Sequence, residues 1–294
     1  MATTATTLID GLHFPEGPRW HDGRLWFSDF HAYAVKAVGL DGEVEIMATV
    51  PGQPSGLGWL PDGRLLVVSM IDRKLMRQEQ DGTLVEHADL SELAPFHCND
   101  MVVDAQGRAY VGNFGFDLEG FIAEHGLAAA LAEPGVPRTV LMRVDPDGAV
   151  HVAADGLQFP NGTVITPDGK TLIVAETFGL CLTAFDIVDD GSLHHRRVWA
   201  DLGFHAPDGI CLDADGNIWV ANPTTPEAVL YAPGGAAIDK VETSQPCYAC
   251  MLGGDDGKTL FCLTARTSDS SVTSVERTGK VETAVVSVPH AGLP

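Results

Sequence analysis

Six short motifs hold one frame along the chain while their central residue changes. They are FPEGP, QPSGL, HCNDM, FPNGT, APDGI and CYACM, centred on Glu16, Ser55, Asn99, Asn161, Asp208 and Ala249. Two carboxylates and two amides brought together would repel or stay unsatisfied without a partner, and a divalent cation supplies one. The candidate ligands, Glu16, Asn161 and Asp208 with Asn99 beside them, are all oxygen donors. Such a set suits Ca2+ first, then Mg2+ or Mn2+; Zn2+ fits with few ligands and open water positions. The same Asn-Gly, Asp-Gly and Ser-Gly pairs are turn signals in their own right. Glu16 is not a turn former, however, and proline already punctuates four of the six motifs. His97 and His205 adjoin the frame, either as substrate contacts or as satisfied polar residues. A G-x-S-x-G elbow, a phosphate-binding G-x-x-x-x-G-K-[ST] loop, a dinucleotide fingerprint and H-E-x-x-H are all absent, which weakens serine-hydrolase and nucleotide readings.

Positioning these residues falls to a repeat. Each motif precedes a tight turn and an alternating strand, as in HDGRLWFSD, PDGRLLVVS and ADGNIWVAN. The turn glycines are 23, 63, 107, 169, 216 and 257, at spacings of 40, 44, 62, 47 and 41. A second series runs out of phase, with glycines 42, 82, 148, 191, 235 and 279. Two hairpins per period give four strands per period, and four-stranded units of forty-odd residues are propeller blades. The expected fold is therefore all-β: a six-bladed β-propeller with four-stranded blades, one domain over 1–294. The first strand of each blade lies nearest the axis, so the six motifs form a ring at one mouth. The second strands return to that face and end on Asp29, Ser69, Asn113, Glu176, Asn222 and Thr264, polar in all six. These read as further mouth lining, with Asn113 a candidate substrate contact. TATTLIDGL at the N-terminus is expected to pair with the VETAVVSVP tail of the last blade, removing an exposed edge. Both series carry one oversized gap in the third repeat, which places an insert, a candidate lid, at 115–137. Alanines and leucines around Leu127 to Leu131 predict a short helix there, ended by Pro134.

Composition narrows the partners. A formal charge of -22, from 40 acids against 18 bases, repels phosphate backbones and anionic lipid, so neither nucleic acid nor membrane is an expected partner. No run approaches the roughly 20 apolar residues of a membrane span, and the start MATTATTLIDGL lacks the features of a signal peptide. Of six cysteines only Cys247 and Cys250 make a C-x-x-C, with no second pair to complete a zinc site. They read as reduced, mostly buried thiols of a cytoplasmic protein. Nothing in the sequence fixes an oligomeric state.

FPEGPRW with LWFSD, the CND of the third repeat, FPNG followed by PDGKTLIVAET, and APDGICLDADGNIWVAN are jointly specific. Over nearly its whole length the chain resembles the family of senescence marker protein 30, gluconolactonase and luciferin-regenerating enzyme. The resemblance implies a six-bladed propeller with one catalytic divalent cation in its central tunnel. It assigns the ligands to Glu16, Asn161 and Asp208, the acid/base to Asp208 and a substrate contact to Asn99. Sugar-lactonase members place an arginine two residues before that asparagine, where this chain has His97. The departure favours a lactone less polar than a sugar lactone, or an aromatic or aliphatic ester, with His97 recognising the ring substituent. The implied chemistry is metal-assisted hydrolysis of a small-molecule lactone or ester. A propeller that only binds calcium or a small ligand, and a phosphotriester hydrolase, are the alternatives.

Overall fold

A computed structural model describes residues 3–132 and 135–293 and shows six four-stranded antiparallel blades around one axis. Blade one is typical, with strands Pro15–His21, Arg24–Asp29, Ala34–Val38 and Val44–Thr49 ordered from axis to rim. Inner strands such as Cys98–Val103 and Pro160–Ile165 are buried at every residue, whereas the rim strand Val44–Thr49 is mostly exposed. The apolar runs LLVVS, TLIVAE and TLFCLT are the second strands, buried between neighbouring blades, while the innermost strands begin with the polar ring motifs. Apolar clusters fill the seams between blades. Val35, Leu57 and Val67 join blades one and two; Leu66, Met101 and Met142 join two and three. Tyr110, Leu141, Leu172 and Phe185 hold three to four, and Ile173, Leu212 and Val229 hold four to five. Phe27, Trp219 and Phe261 lie in the cluster that joins blades five, six and one.

The ring closes with strands from both ends of the chain. Thr6–Leu12 pairs antiparallel with Gly279–Val285 and forms the outer strand of blade six. Just before it, Thr3–Thr4 adds a fifth, parallel strand to blade five. The second glycine series therefore breaks at its sixth member. Gly279 does not sit in a hairpin turn but opens the third strand of blade six, because the fourth is borrowed from the N-terminus. At the other end, residues 289–293 cross the far face of the ring. Ala214 N donates to Pro289 O, Ala291 N to Leu212 O, and Ile165 and Leu293 exchange both backbone hydrogen bonds. Blades six, five and four are thereby tied together.

The insert of blade three holds two helices rather than one: α1 (Leu118–His125), N-capped by Asp117, and α2 (Leu127–Leu131). The second matches the expected bounds; Pro134, expected to end it, lies outside the described residues. A further short helix, α3 (Ser270–Thr273), follows the second strand of blade six. Among the described residues no helix is long and apolar enough to cross a membrane.

Candidate active site at the axial mouth

The constant frame of the motifs corresponds to one local distortion. In five blades the inner strand loses register just after the motif begins, between Glu16 and Arg19, Pro54 and Leu57, Cys98 and Met101, Pro160 and Thr163, and Cys247 and Ala249. A bulge re-aims a side chain out of the pleat, here toward the axis. In blade five the strand starts later, at Ile210, and Asp208 is held just ahead of it by hydrogen bonds between Asp208 N and Ala221 O (3.3 Å) and Ala221 N and Gly209 O (3.0 Å). The glycines that follow the ring residues serve packing, not turns. A Cβ on Gly162 would lie 2.5 Å from Ile210 N, and one on Gly209 2.7 Å from Ala249 Cα. Neighbouring inner strands approach so closely that only glycine fits.

The ring residues meet. Asn99 Nδ2 donates to Asn161 Oδ1 at 3.1 Å, Asn161 Nδ2 donates to Thr177 Oγ1 at 3.2 Å, and Thr177 Oγ1 donates to Pro207 O at 2.8 Å. Ser55 Oγ donates to Asn99 Oδ1 at 3.4 Å, and Gly17 N donates to Glu16 Oε2 at 3.0 Å. Asn161 also hydrogen-bonds Asp208. Glu16, Asn99 and Asn161 are each 6% exposed, a common depth below the mouth, while Asp208 keeps more access.

Electrostatics sets this cluster apart. Burial pushes the Glu16 carboxyl well above its ordinary range, and the charges of Asp208 and Asp100 push it further. Burial, then Asp100, raises Asp208 likewise, against the hydrogen bond from Asn161. Burial also raises Asp100, which Arg19 partly offsets. Among the described residues none of these three carboxylates has an ion-pair partner. Arg19 gives its hydrogen bonds to carbonyls instead: Nε to Leu57 O at 3.0 Å, Nη1 to Pro18 O, Nη2 to Met101 O. It thereby spans blades one, two and three.

These residues fit a hard cation. One buried and one half-buried carboxylate, Glu16 and Asp208, neither in an ion pair among the described residues, stand beside an amide oxygen that retains a free lone pair, which is an oxygen-donor set of the Ca2+ type. Among the described residues no three His, Cys, Asp or Glu side chains group closely enough to hold a metal by themselves. Asn161 is therefore a necessary member of the set, and water would complete it.

Several expectations are corrected. The second-strand ends do not line the mouth. Asn113 is wholly buried, its Nδ2 donates to Val140 O at 2.8 Å and its Oδ1 accepts from Thr139 Oγ1 at 2.6 Å, so no substrate reaches it. Asp29 accepts from His13 N and Phe14 N and pairs with Lys36 at 2.7 Å. Glu176 accepts from Gln158 N at 2.8 Å and pairs with Arg196 at 2.9 Å. Asp29, Glu176 and Thr264 fasten their blades to the incoming loops, while Ser69, Asn113 and Asn222 bond the segments that follow them, and the inner-strand bulges leave the axis to the first ring. His205 is also spent internally, on the Tyr231 hydroxyl (2.8 Å) and Ala221 O (3.3 Å). His97 precedes its strand, which begins at Cys98 and loses register after it, so strand alternation does not place it with Asn99. It stacks on Phe96 at 4.0 Å.

That stack opens a feature the motifs do not announce. His97 lies 5.9 Å from Phe114, Phe114 4.6 Å from Phe159, and Phe159 5.3 Å from Phe178; Phe116 faces both Phe159 and Phe178 and touches Phe121 of α1. Across the mouth, Phe14 packs against Phe30 at 5.4 Å and Tyr248 at 4.8 Å. The wall above the polar ring is thus aromatic on two sides. Its members Phe14, His97 and Phe159 share one frame position, two residues before the ring residue, but Phe30, Phe96, Phe114, Phe116 and Phe178 come from other loops and escape a reading by frame. Asp100 and Arg19 are missed for a related reason: each sits inside a quoted motif, yet its role depends on another blade. The insert spans the opening, for Glu119 of α1 accepts from Ser270 N (3.1 Å) and Oγ (2.9 Å) at the start of α3, joining blade three to blade six. Two open clefts on the turn face, about 590 and 460 Å³, bring together no comparable group.

A six-bladed propeller with an axial carboxylate–amide ring beneath an aromatic mouth defines the class of this molecule. Residues 14–266 match the SMP-30/gluconolactonase/LRE-like region, and the chain belongs to that family. It is 26% identical over 274 residues to pentonolactonase XacC of Haloferax volcanii, covering 89% of this chain and 85% of that one. To diisopropyl-fluorophosphatase of Loligo vulgaris it is 28% identical over 199 residues, 63% of this chain and 59% of that one. A solved structure of the calcium-binding protein regucalcin from Agrobacterium tumefaciens superposes with a TM-score of 0.79 at 21% identity, covering 100% of this chain and 99% of that one, and shares the fold.

Proposed function

We propose that the protein is a divalent-cation-dependent lactonase whose substrate carries an apolar or aromatic portion. The observation that carries this reading is the pair of carboxylates without an ion-pair partner, buried Glu16 and half-buried Asp208, beside Asn161 and under an aromatic mouth. The likeness to a pentonolactonase supports the reaction class. Glu16, Asn161 and Asp208 would hold the ion, Ca2+ by donor type, and once bound it supplies Lewis-acid polarisation of an ester carbonyl. Asp208, the ring carboxylate with most access from the mouth, takes a proton from the attacking water and returns it to the leaving alkoxide. Asn99 orients the substrate with its remaining amide hydrogen. Phe114, Phe116, Phe159 and Phe178 exclude water and receive the apolar portion. His97, part of that aromatic stack, lacks the bidentate fork with which a guanidinium grips neighbouring hydroxyls. The six free thiols agree with a reducing, cytoplasmic location.

The test is a pH-stat panel of gluconolactone, alkyl lactones and aryl lactones with chelated and Ca2+-reloaded protein. Hydrolysis should require the ion, apolar lactones should give the higher kcat/KM, and His97→Arg should narrow the gap. Full activity in protein proven metal-free by elemental analysis, or a preference for gluconolactone indifferent to His97→Arg, would overturn it. The likeness to diisopropyl-fluorophosphatase favours one second reading, so the panel includes a phosphotriester. Tight Ca2+ binding without turnover of any substrate would instead identify a binding protein.

A further inference from the structure

Blade six breaks the pattern of the ring. Its frame position is Ala249, which offers no polar atom, and the neighbouring residue Tyr248 turns toward the mouth. Tyr248 packs edge-on against Phe14, two residues before Glu16, in a small cluster with Ala265 and Phe30. Its carbonyl accepts from Gly209 N at 2.8 Å, next to Asp208. The phenol is thereby fixed between the segments that carry the two ring carboxylates. It is 6% exposed, the same as Glu16, Asn99 and Asn161, as expected of side chains sharing one opening.

The ring spends most of its hydrogen-bond donors on itself, and the amide hydrogen left on Asn99 is committed to orienting the substrate. Asn99 and Asn161 each give an amide hydrogen to a ring neighbour, Ser55 and Thr177 give their hydroxyls to Asn99 and Pro207, and Arg19 is spent on three carbonyls. Opening a lactone produces an alkoxide, the most basic atom of the reaction, and the ring proper presents it mainly with carboxylates and acceptors. The Tyr248 hydroxyl meets only the side chain of Ser268, an exposed residue whose place a substrate oxygen can take. Burial and the Asp208 charge push this phenol to about 12, so it keeps its proton at every working pH.

We propose that Tyr248 is a catalytic residue that donates a hydrogen bond to the ring oxygen of the lactone as the acyl–oxygen bond breaks. This rests on the lactonase reading above. The water oxygen bonds to the carbonyl carbon, the carbon–ring-oxygen bond breaks, and the water's proton travels through Asp208 to the alkoxide. Tyr248 keeps its own proton throughout and lowers the barrier by stabilising the departing oxygen.

Tyr248→Phe keeps the packing on Phe14 and removes only the hydroxyl. With Ca2+-loaded protein and equal metal content, kcat for alkyl lactones should fall about 100-fold, the range for one lost transition-state donor. KM should hardly change, because the bond strengthens only as charge develops. Aryl lactones, whose phenoxide leaves without help, should lose far less, so the variant's rates depend more steeply on leaving-group pKa than the wild type's. An unchanged melting temperature excludes a packing defect. Equal losses for alkyl and aryl lactones, or none for either, would overturn the role of Tyr248 while leaving the lactonase reading intact. A wild type inert on every lactone would overturn that reading itself.

Discussion

Glu16→Gln should stabilise the chelated protein at neutral pH, although it removes a residue of the site. Without a cation, Glu16 and Asp208 must ionise in a buried place with no positive partner. Their folded-state pKa values are raised, so between the ordinary carboxylate value of about 4 and the elevated ones the folded chain holds protons that the unfolded chain has released. Stability from this pair is full below the ordinary value, falls as pH rises through the elevated values, and stays low above them. Glutamine keeps an oxygen for Gly17 N, which now donates to the Glu16 carboxylate at 3.0 Å, and removes one charge. It also relieves Asp208. Relieving a buried group left without a partner is worth about 1–3 kcal/mol, and for a chain of 294 residues 1 kcal/mol moves Tm by about 2 °C. The chelated variant should melt about 2–6 °C above the chelated wild type at pH 8, and the gap should narrow as pH falls. Free Ca2+ at 100 times its Kd adds about 2.7 kcal/mol, or about 5 °C, to the wild type; the variant should respond far less. Differential scanning fluorimetry across pH, with chelator or Ca2+, reads all four cases. A chelated variant less stable than the wild type at every pH would refute the reasoning.

Three further outcomes are expected. Phe178→Ala removes a half-buried ring from the aromatic wall and should lower kcat/KM for apolar lactones about tenfold, with gluconolactone little affected; equal losses would mean the wall only supports the fold. Glu119→Ala breaks the hydrogen bonds to Ser270, so limited proteolysis within residues 118–131 should become severalfold faster (about 1 kcal/mol of closure lost); an unchanged cleavage rate would show that this contact does not hold the insert down. A thiol reagent at pH 8 should find Cys181 first in native protein, since the other five cysteines are buried and Cys98 is pushed to about 12, and all six after denaturation without reductant.

The blades were legible because their turns are glycine-specific. The first-series glycines 23, 63, 107, 169, 216 and 257 all have positive φ, which side chains avoid. The ring was legible for a related reason: in four blades a Cβ after the ring residue would collide with the next inner strand, so EG, SG, NG and DG recur in one frame, while Asp100 and Cys250 stand there in blades three and six. What stayed hidden depends on contacts between blades. Asn113 looked like mouth lining because a polar residue ends a strand near the axis, and nothing local tells whether its amide faces the tunnel or Val140. Arg19 lies in the quoted FPEGPRW, yet its acceptors belong to blades two and three. The aromatic wall joins residues as far apart as Phe96 and Phe178, and beyond Phe14, His97 and Phe159, which share the motif frame, its members have no common spacing.

The borrowed outer strand of blade six sets an order of events at the ribosome. Thr6–Leu12 is made well over two hundred residues before its partner Gly279–Val285. At about 5–20 residues per second, roughly 15–60 s separate them. Through that interval the early strand has no neighbour, and its sequence, TTLIDGL, carries an aspartate and a glycine that discourage pairing with another chain. Blades one to four can assemble during translation, each from contiguous sequence. Blade six cannot, so the nascent chain remains an open arc until Gly279–Val285 emerges and the far earlier Thr6–Leu12 is drawn in.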